Sequence, residues 1–543
     1  MRRSITRTLT AIAAGVVALG MAFAGGATAN ATAPAKGQSS ITINGGNDQD
    51  LTNRTFEAYR VIDITDVATG ANKSESYTLE IDSTYRDQVR ATAQEVLHTA
   101  ANATDAAVVN TISGMKSDKT RSFAEKLVEK LDAANKAASV GSDEFVSEGM
   151  NKQATGLDAG WYLVRETTAA SSTPNATTGN APLSLFMMKG GQNINITVKS
   201  DVPTSHKKIV DADYSNPRDA DDFQTNENIT YRLTFDIPSY WKTQYKDGFY
   251  FTMHDELSAG LDYVGDPVIK VANSEDSIMS AVNWDKSAQG YGYTPESSQS
   301  GKTVEWKFAT AGTETSDIAN RKANLNLAGK TVVVYYKAKM NASAKIASTG
   351  GNGNTYQVYY QHNPGNAADG YDHTTPETPY VYTYQFIVVK QDGDNKGTKL
   401  SGAEFKLYSD QSATEEVAVS LAKGVYTVDP SGTAVLTTGT DGKITVNGLD
   451  SGTYYLKETK APSGYKLDDT VREVTVTPDS KVVDAKNGEA IAYKVNDDSN
   501  HTMTIDNYKG SLPSTGGMGI VLMVVAGVLL IAGGMISIMR RRA

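Results

Sequence analysis

Two hydrophobic segments bracket this chain and dictate where everything between them must fold. Leu9 to Phe23 is an apolar stretch behind Arg2, Arg3 and Arg7, and it ends in small residues that include Ala27-Thr28-Ala29 and Ala29-Asn30-Ala31. This is the pattern of a secretory signal peptide, so residues 1–31 are expected to be removed. At the other end, an apolar run from Met518 to Met539 is closed by Arg540, Arg541 and Arg542. About 20 apolar residues cross a bilayer core, and the arginines hold the tail on the cytoplasmic side because translocating them is costly. The part between, roughly 480 residues, is therefore expected outside the membrane and is long enough for about three domains. It contains no cysteine among 543 residues, so no disulfide can staple these domains and no thiol can serve as ligand or nucleophile. A net charge of −10 argues against nucleic acid as a partner and fits a solvated surface protein.

The pattern between the two ends is mainly β. Residues 39–199 place strand-like pieces, Ile41–Ile43 and Phe56–Ile64, around an Ala- and Glu-rich middle. In that middle, Tyr85–Ala101 and Ser122–Ala138 space their apolar residues by three and four, as with Phe123, Leu127 and Leu131, so two amphipathic helices are expected. Residues 202–383 alternate in strands separated by Gly, Asn, Asp and Pro turns and predict a β-sandwich. Residues 384–509 are shorter and again all strand and turn, and 510–543 hold a tether and the apolar run. Two segments echo each other, Gly160-Trp161-Tyr162-Leu163-Val164-Arg165-Glu166 and Gly452-Thr453-Tyr454-Tyr455-Leu456-Lys457-Glu458. Each ends an aromatic strand on a carboxylate.

Side chains alternate faces along a strand, so Lys390 shares a face with Phe386 and Val388, Glu458 with Tyr454 and Leu456, and Asn507 with Met503 and Ile505. Three polar groups thus point where apolar neighbours point. A buried lysine and carboxylate are costly unless paired, and a salt bridge is one reading. The other is chemical: an apolar pocket lowers the pKa of a lysine and raises that of a carboxyl group, leaving a neutral amine beside a protonated acid. The amine can attack the side-chain carbonyl of Asn507 while Glu458 hydrogen-bonds to the developing oxyanion and relays protons to departing ammonia. The product is a Lys390–Asn507 isopeptide bond. In the central region Lys207 shares a face with Ile209, Asp255 with Phe251 and Met253, and Asn354 with Tyr356 and Val358, with Lys208 and Asn352 as the alternatives if the register differs. In the first region Glu166 shares a face with Tyr162 and Val164, but the opening strand has no lysine. No cross-link is expected there, Glu166 is read as a hydrogen-bonded structural acid, and this domain is expected to be the softest.

Leu512-Pro513-Ser514-Thr515-Gly516, followed by the apolar run and the arginines, resembles the cell-wall sorting signal of sortase substrates. The resemblance implies cleavage between Thr515 and Gly516 and transfer of the Thr515 acyl group to an amine. Tyr454 to Tyr465, reading Tyr-Tyr-Leu-Lys-Glu-Thr-Lys-Ala-Pro-Ser-Gly-Tyr, resembles the glutamate box of Cna B-type domains in the sortase-assembled pilins of Gram-positive bacteria. The segments around Lys207, Asp255 and Asn354 are similar to strands of the central domain in major pilins. The family implies tandem immunoglobulin-like or Cna B-type β-sandwiches, the first with a helical insertion. It implies a Lys390–Asn507 bond assisted by Glu458 and a Lys207–Asn354 bond assisted by Asp255. It also implies an exposed lysine that accepts the next subunit. Lys199 is the candidate, because Ile194, Ile196 and Val198 face the core and Lys199 follows at the junction of two domains; Lys189 is the runner-up. Thr197-Val198 stand here where family members usually carry Tyr-Pro before that lysine.

Enzymatic signals are weak. Gly-Lys-Thr occurs at Gly301 and Gly329, but Glu296 and Asn324 stand where a phosphate loop needs glycine. Asp392 to Gly397 looks faintly like a calcium loop, yet Ala403 occupies the position of the bidentate acid, so a turn is expected. The six histidines show no paired metal spacing, and no hydrolase motif is visible. No cofactor, metal or enzymatic activity is expected. The first reading is the major shaft subunit of a covalent, cell-surface pilus anchored in the wall and supporting adhesion. Its expected partners are pilin-specific and housekeeping sortases, further copies of itself, minor tip or base pilins, and peptidoglycan; no receptor is legible. The alternative is a monomeric wall-anchored adhesin or a pilus base subunit.

Overall fold

The computed structural model describes residues 37–45, 50–69, 75–170, 183–188, 193–198, 203–285, 291–510 and 515–540. The leading segment 1–31, Leu512, Pro513, Ser514, Lys189 and Lys199 lie outside the described residues.

The first sandwich is built from β1 (Ser39–Gly45), β2 (Phe56–Thr69), β3 (Glu75–Ile81), β4 (Val146–Glu148), β5 (Asn151–Leu157), β6 (Gly160–Glu166), β7 (Leu185–Met188) and β8 (Asn193–Val198). Its sheets are ordered β4-β5-β1-β8 and β3-β2-β6-β7, and Ile41, Ile43, Phe56, Tyr162, Val164, Ile196 and Val198 fill the space between them. The second sheet is buried on its outer face as well. Helices α1 (Arg86–Leu97), α2 (Asp105–Ser113) and α3 (Ser117–Ala133) lie there, and Phe123, Leu127 and Leu131 pack with Tyr59, Trp161 and Leu163. Coverage on both faces explains why β6 is almost continuously buried rather than alternating. Three helices replace the two expected. α2 was missed because nine residues carry too short a period; its start is set by Thr104, whose hydroxyl accepts the Ala107 N–H at 3.3 Å, an N-cap.

In the second sandwich, β9 (Thr204–Val210), β10 (Asn228–Asp236), β11 (Phe251–Leu257), β12 (Leu261–Ala272), β13 (Thr303–Phe308), β14 (Thr331–Met340), β15 (Asn352–Asn363) and β16 (Tyr380–Tyr382) pair as β12-β14-β10-β9 and β16-β15-β11-β13, with short strands at the edges. The core between them is strongly aromatic, with Phe235, Trp241, Trp306 and Tyr360 buried and Phe251 stacked on Phe308 at 4.4 Å between centroids. Gly301 and Gly329 sit in turns at positive φ, conformations that glycine adopts without strain.

The third sandwich contains β17 (Tyr384–Asp392), β18 (Glu404–Tyr408), β19 (Lys443–Leu449), β20 (Gly452–Lys460), β21 (Arg472–Pro478) and β22 (Thr502–Asn507). β17, its first strand, lies between β19 and β22, and β18-β20-β21 form the facing sheet. First and last strands run parallel, with Lys390 opposite Ile505 and Asp392 opposite Asn507. The turn after β17 is closed by Asp392 Oδ1, which accepts the Asp394 N–H at 2.9 Å. A final helix, α4 (Thr515–Arg540), includes a span Leu522–Arg540 of mean hydropathy 2.5, long and apolar enough to cross a membrane.

The two junctions differ in chemistry. Ala220, Ala347 and Tyr382 of the second sandwich belong to the hydrophobic core of the third. Thr225 adds hydrogen bonds to the carbonyls of Gly448 at 3.0 Å through its N–H and Val428 at 2.5 Å through its hydroxyl. Contacts between the first and second sandwiches are polar. Arg121 on α3 donates to the Gln244 carbonyl, and His362 reaches the Thr168 carbonyl at 3.0 Å through Nε2 and Asp372 Oδ2 at 2.8 Å through Nδ1. Burial alone would lower the His362 pKa, but the Asp372 hydrogen bond and charge raise it above the ordinary value. The raised pKa means that the His362 contribution is full below about pH 6.5, the unfolded value, and is lost as pH rises through the folded one. Hydrogen exchange at residues 166–170 is therefore expected to speed up between pH 6 and 8.5 in the wild type beyond the intrinsic rate change. A His362→Gln chain should show no such excess.

Candidate cross-linking sites

β17, β20 and β22 each turn one polar side chain into the third core. Lys390 is 0% exposed, Glu458 3% and Asn507 1%. Lys390 Nζ lies 3.0 Å from Glu458 Oε1, off the alignment of a hydrogen bond, and 5.3 Å from the centroid of Phe405. Asn507 Nδ2 donates to Glu458 Oε2 at 3.0 Å and to the Lys466 carbonyl at 2.5 Å. The Asp468 N–H also donates to Glu458 Oε2, at 2.8 Å. One carboxyl group thus touches the amine with one oxygen and the amide nitrogen with the other. Burial pulls the Lys390 pKa down, against the opposing pull of Glu458. Asn507 Oδ1 accepts no hydrogen bond among the described residues, an unusual state for a buried carbonyl oxygen and the atom on which negative charge would gather if the amine attacked.

The second core holds a similar set with an aspartate. Lys207, Asp255 and Asn354 are all 0% exposed, from β9, β11 and β15. Lys207 Nζ donates to Asp255 Oδ1, sits 4.8 Å from the Tyr231 ring centroid and donates to the Tyr336 hydroxyl at 3.2 Å. That hydroxyl donates to Asp255 Oδ2 and accepts from Asn354 Nδ2 at 2.6 Å. Burial brings the Lys207 pKa down to about 8, with Asp255 opposing the shift, and burial likewise raises that of Asp255 despite the lysine. Asn354 Oδ1, like Asn507 Oδ1, accepts no hydrogen bond among the described residues. The two alternatives stand elsewhere. Lys208 Nζ pairs with Asp219 at 2.6 Å at the surface. The Asn352 amide is satisfied by Lys345 N–H at 2.8 Å and by the carbonyls of Lys345 at 3.1 Å and Val381 at 3.2 Å.

In the first sandwich Glu166 is buried, with a side-chain exposure of 1%, and its partner is an arginine. Arg54 Nε donates to Oε1 at 2.5 Å and an Arg54 terminal nitrogen to Oε2, while Ser184 N–H at 3.0 Å and the Thr168 hydroxyl at 2.8 Å complete the carboxylate. β1 and β8 turn Ile41, Ile43, Ile194, Ile196 and Val198 into that core, side chains that can form no amide.

Sequence spacing missed three participants. Tyr231 and Tyr336 sit on apolar strands, and the only hint was a phenol on the face shared with Val332, Val334, Ala338 and Met340. Arg54 lies before β2, with no periodic relation to Glu166. Beyond sequence spacing, the fold brings potential metal-ligand atoms of His206, Asp236 and Glu275 within 4.8 Å of one another. They come from β9, β10 and a distant turn, so no sequence spacing could show it. His206 Nδ1 is 2.7 Å from Glu377 Oε1 and Nε2 is 3.8 Å from Glu275; Asp236 is held by the hydroxyls of Thr204 and Thr331. The Glu377 hydrogen bond leads in raising the imidazole pKa, and the approach of His206 to these two glutamates accounts for the cluster. Of the sorting segment, Thr515 and Gly516 are the first residues of α4.

Comparison with known proteins agrees with this architecture. Residues 385–489 match the SpaA family model, described as a prealbumin-like fold domain. The chain is 26% identical over 276 residues to the trypsin-resistant surface T6 protein of Streptococcus pyogenes serotype M6, covering 46% of this chain and 41% of that one. It is 25% identical over 344 residues to fimbrial subunit type 1 of Actinomyces viscosus, covering 57% of this chain and 60% of that one. The chain therefore spans about half the length of the curated relatives it matches. In fold, it superimposes on the T6 backbone pilin of Streptococcus pyogenes, a modular three-domain structure, with a TM-score of 0.52 at 15% identity over 88% of this chain and all of that one. In sequence this chain is thus similar to a streptococcal surface protein and an Actinomyces fimbrial subunit, and its fold is that of a three-domain backbone pilin.

Proposed function

We propose that this chain is the major shaft subunit of a covalently polymerised pilus, stabilised by Lys390–Asn507 and Lys207–Asn354 isopeptide bonds. The observation that carries this reading is the recurrence, in two consecutive sandwiches, of a buried lysine, a carboxyl group and an asparagine whose carbonyl oxygen has no donor among the described residues. Buried ion pairs add little to stability compared with apolar packing, so their repetition is better explained by chemistry than by salt bridging. The Lys390 or Lys207 amine attacks the asparagine Cγ, the C–Nδ2 bond breaks, ammonia leaves, and a cysteine-free chain acquires the covalent staples it lacks. Glu458 and Asp255 act within their own chain, once, so the protein is a structural subunit rather than an enzyme.

In this reading a pilin-specific sortase cleaves Leu512-Pro513-Ser514-Thr515-Gly516 after Thr515 and joins the Thr515 acyl group to Lys199 of another copy. A housekeeping sortase attaches the finished polymer to peptidoglycan, α4 serves as a transient membrane anchor, and minor tip or base pilins complete the fibre. The test is an immunoblot of detergent-boiled wall extracts from cells making the wild-type or Lys199→Ala chain. A high-mass ladder that collapses to monomer in the variant is expected. A ladder that survives moves the acceptor to Lys189 or elsewhere, and monomer in both strains favours the anchored adhesin.

A further inference from the structure

Both cores present an amine, an acid and an amide, but the acids do not reach equally far. In the third core Glu458 Oε2 is itself 3.0 Å from Asn507 Nδ2. In the second core Asp255, one methylene shorter, makes no hydrogen bond to Asn354 among the described residues, and the phenol of Tyr336 stands in the gap. Its single oxygen accepts from Lys207 Nζ at 3.2 Å and from Asn354 Nδ2 at 2.6 Å and donates to Asp255 Oδ2. Tyr336 is 1% exposed, so no bulk water competes for these contacts. The ring is packed between Trp306, at 5.2 Å between centroids, and Tyr231, at 5.5 Å, which holds the phenol oxygen in place while its O–H stays free to rotate.

We propose that Tyr336 is a catalytic residue of the second-domain cross-link, carrying a proton from the attacking amine to the departing nitrogen; this rests on the isopeptide reading of the Lys207, Asp255 and Asn354 site. Lys207 first gives one ammonium proton to Asp255 Oδ1 and becomes a neutral amine. Its lone pair forms the bond to Asn354 Cγ, and the carbonyl electrons move onto Oδ1. The nitrogen of Lys207, now cationic, passes one proton to the Tyr336 oxygen as the Tyr336 hydrogen moves to Nδ2. The electrons on Oδ1 then re-form the carbonyl, the Cγ–Nδ2 bond breaks, and ammonia leaves. The amine has lost one hydrogen to become the amide N–H, Nδ2 has gained one, and Tyr336 ends as it began. A positioned proton-transfer group of this kind is worth about 100-fold or more in rate. The longer Glu458 performs both tasks in the third domain, where no phenol hydrogen-bonds to Lys390, Glu458 or Asn507 among the described residues.

The experiment follows ammonia loss by intact mass and peptide mapping as the full ectodomain is synthesised in a cell-free reaction. Wild type is expected to lose two ammonias. Tyr336→Phe should lose the one from the third domain on schedule, an internal control for folding and sampling, while the Lys207–Asn354 bond lags by about 100-fold or more. A variant carrying 3,5-difluorotyrosine at position 336 preserves the ring and its packing but changes the acidity of the hydroxyl. Its rate should differ from wild type, which a merely structural hydroxyl would not produce, and this comparison stands even where Tyr336→Phe folds poorly. A Lys207–Asn354 bond formed at the wild-type rate in Tyr336→Phe, or in the fluorinated chain, overturns the relay and leaves the cross-link intact. A wild-type chain that never forms that bond overturns the cross-link reading itself.

Discussion

Glu458→Ala is expected to leave the ectodomain short of its own sequence mass by one ammonia, where wild type is short by two, and to lower the unfolding temperature of the third domain by roughly 20 °C. Two losses add. Without the acid, Lys390 and Asn507 stay unjoined, and a cross-link closing a loop of more than a hundred residues between them is worth about 5 kcal/mol on the chain-entropy scale used for disulfides. The substitution also leaves the Lys390 amine fully buried with no carboxylate beside it, which drives that amine to its neutral form and costs further stability. At about 4 °C or more per kcal/mol for a domain of this size, the cross-link alone accounts for the shift. Intact mass and scanning calorimetry on the same sample read both effects. A full sequence mass in the wild type would sink the covalent argument; a deficit of two ammonias in the variant as well, with a lower melting temperature, would show that Glu458 supports the fold but not the bond.

Arg54→Ala is expected to cost the first domain about 3–5 kcal/mol, the penalty for stranding a buried charge. This domain has an ion pair where the other two bury a lysine, an acid and an asparagine together. Glu166 receives two hydrogen bonds from Arg54 and two more from Ser184 and Thr168, so removing the arginine leaves a carboxylate whose remaining partners are neutral. A Glu166→Gln substitution on top of Arg54→Ala should recover a large part of the loss, because the stranded charge is then gone. The readout is the first-domain transition in calorimetry, the others serving as internal references. A loss under about 1 kcal/mol, the range of exposed pairs, would mean that water relieves Glu166 and that the pair adds little to holding the domain.

Period-two alternation made the Lys390, Glu458 and Asn507 set and the Lys207, Asp255 and Asn354 set legible because each residue sits on its own regular strand among apolar neighbours. Alternation reports the face a side chain takes and nothing about what stands across the core. Tyr336 could not be found that way: it belongs to β14, two strands from Lys207 in its own sheet and in the sheet facing β11 and β15, and only the packing of the two sheets brings its hydroxyl onto the acid and the amide. α2 escaped for a related reason, since a short apolar helix owes its existence to the sheet face it covers.

By itself the sequence determined the membrane-length segment beside the sorting motif, the lack of disulfides, the mainly β character and the strand faces that carry charge, because these are set by local composition and by the geometry of a single strand. The tertiary structure alone decided which lysine and which asparagine meet, since Lys208 and Asn352 differ from Lys207 and Asn354 by one or two positions in strands whose partners lie far away in the chain. It also decided that Arg54 neutralises Glu166 and that the second and third sandwiches share a core while the first meets the second through polar groups. Those outcomes depend on how faces pack, where a shift of one residue exchanges a buried amine for a solvated one.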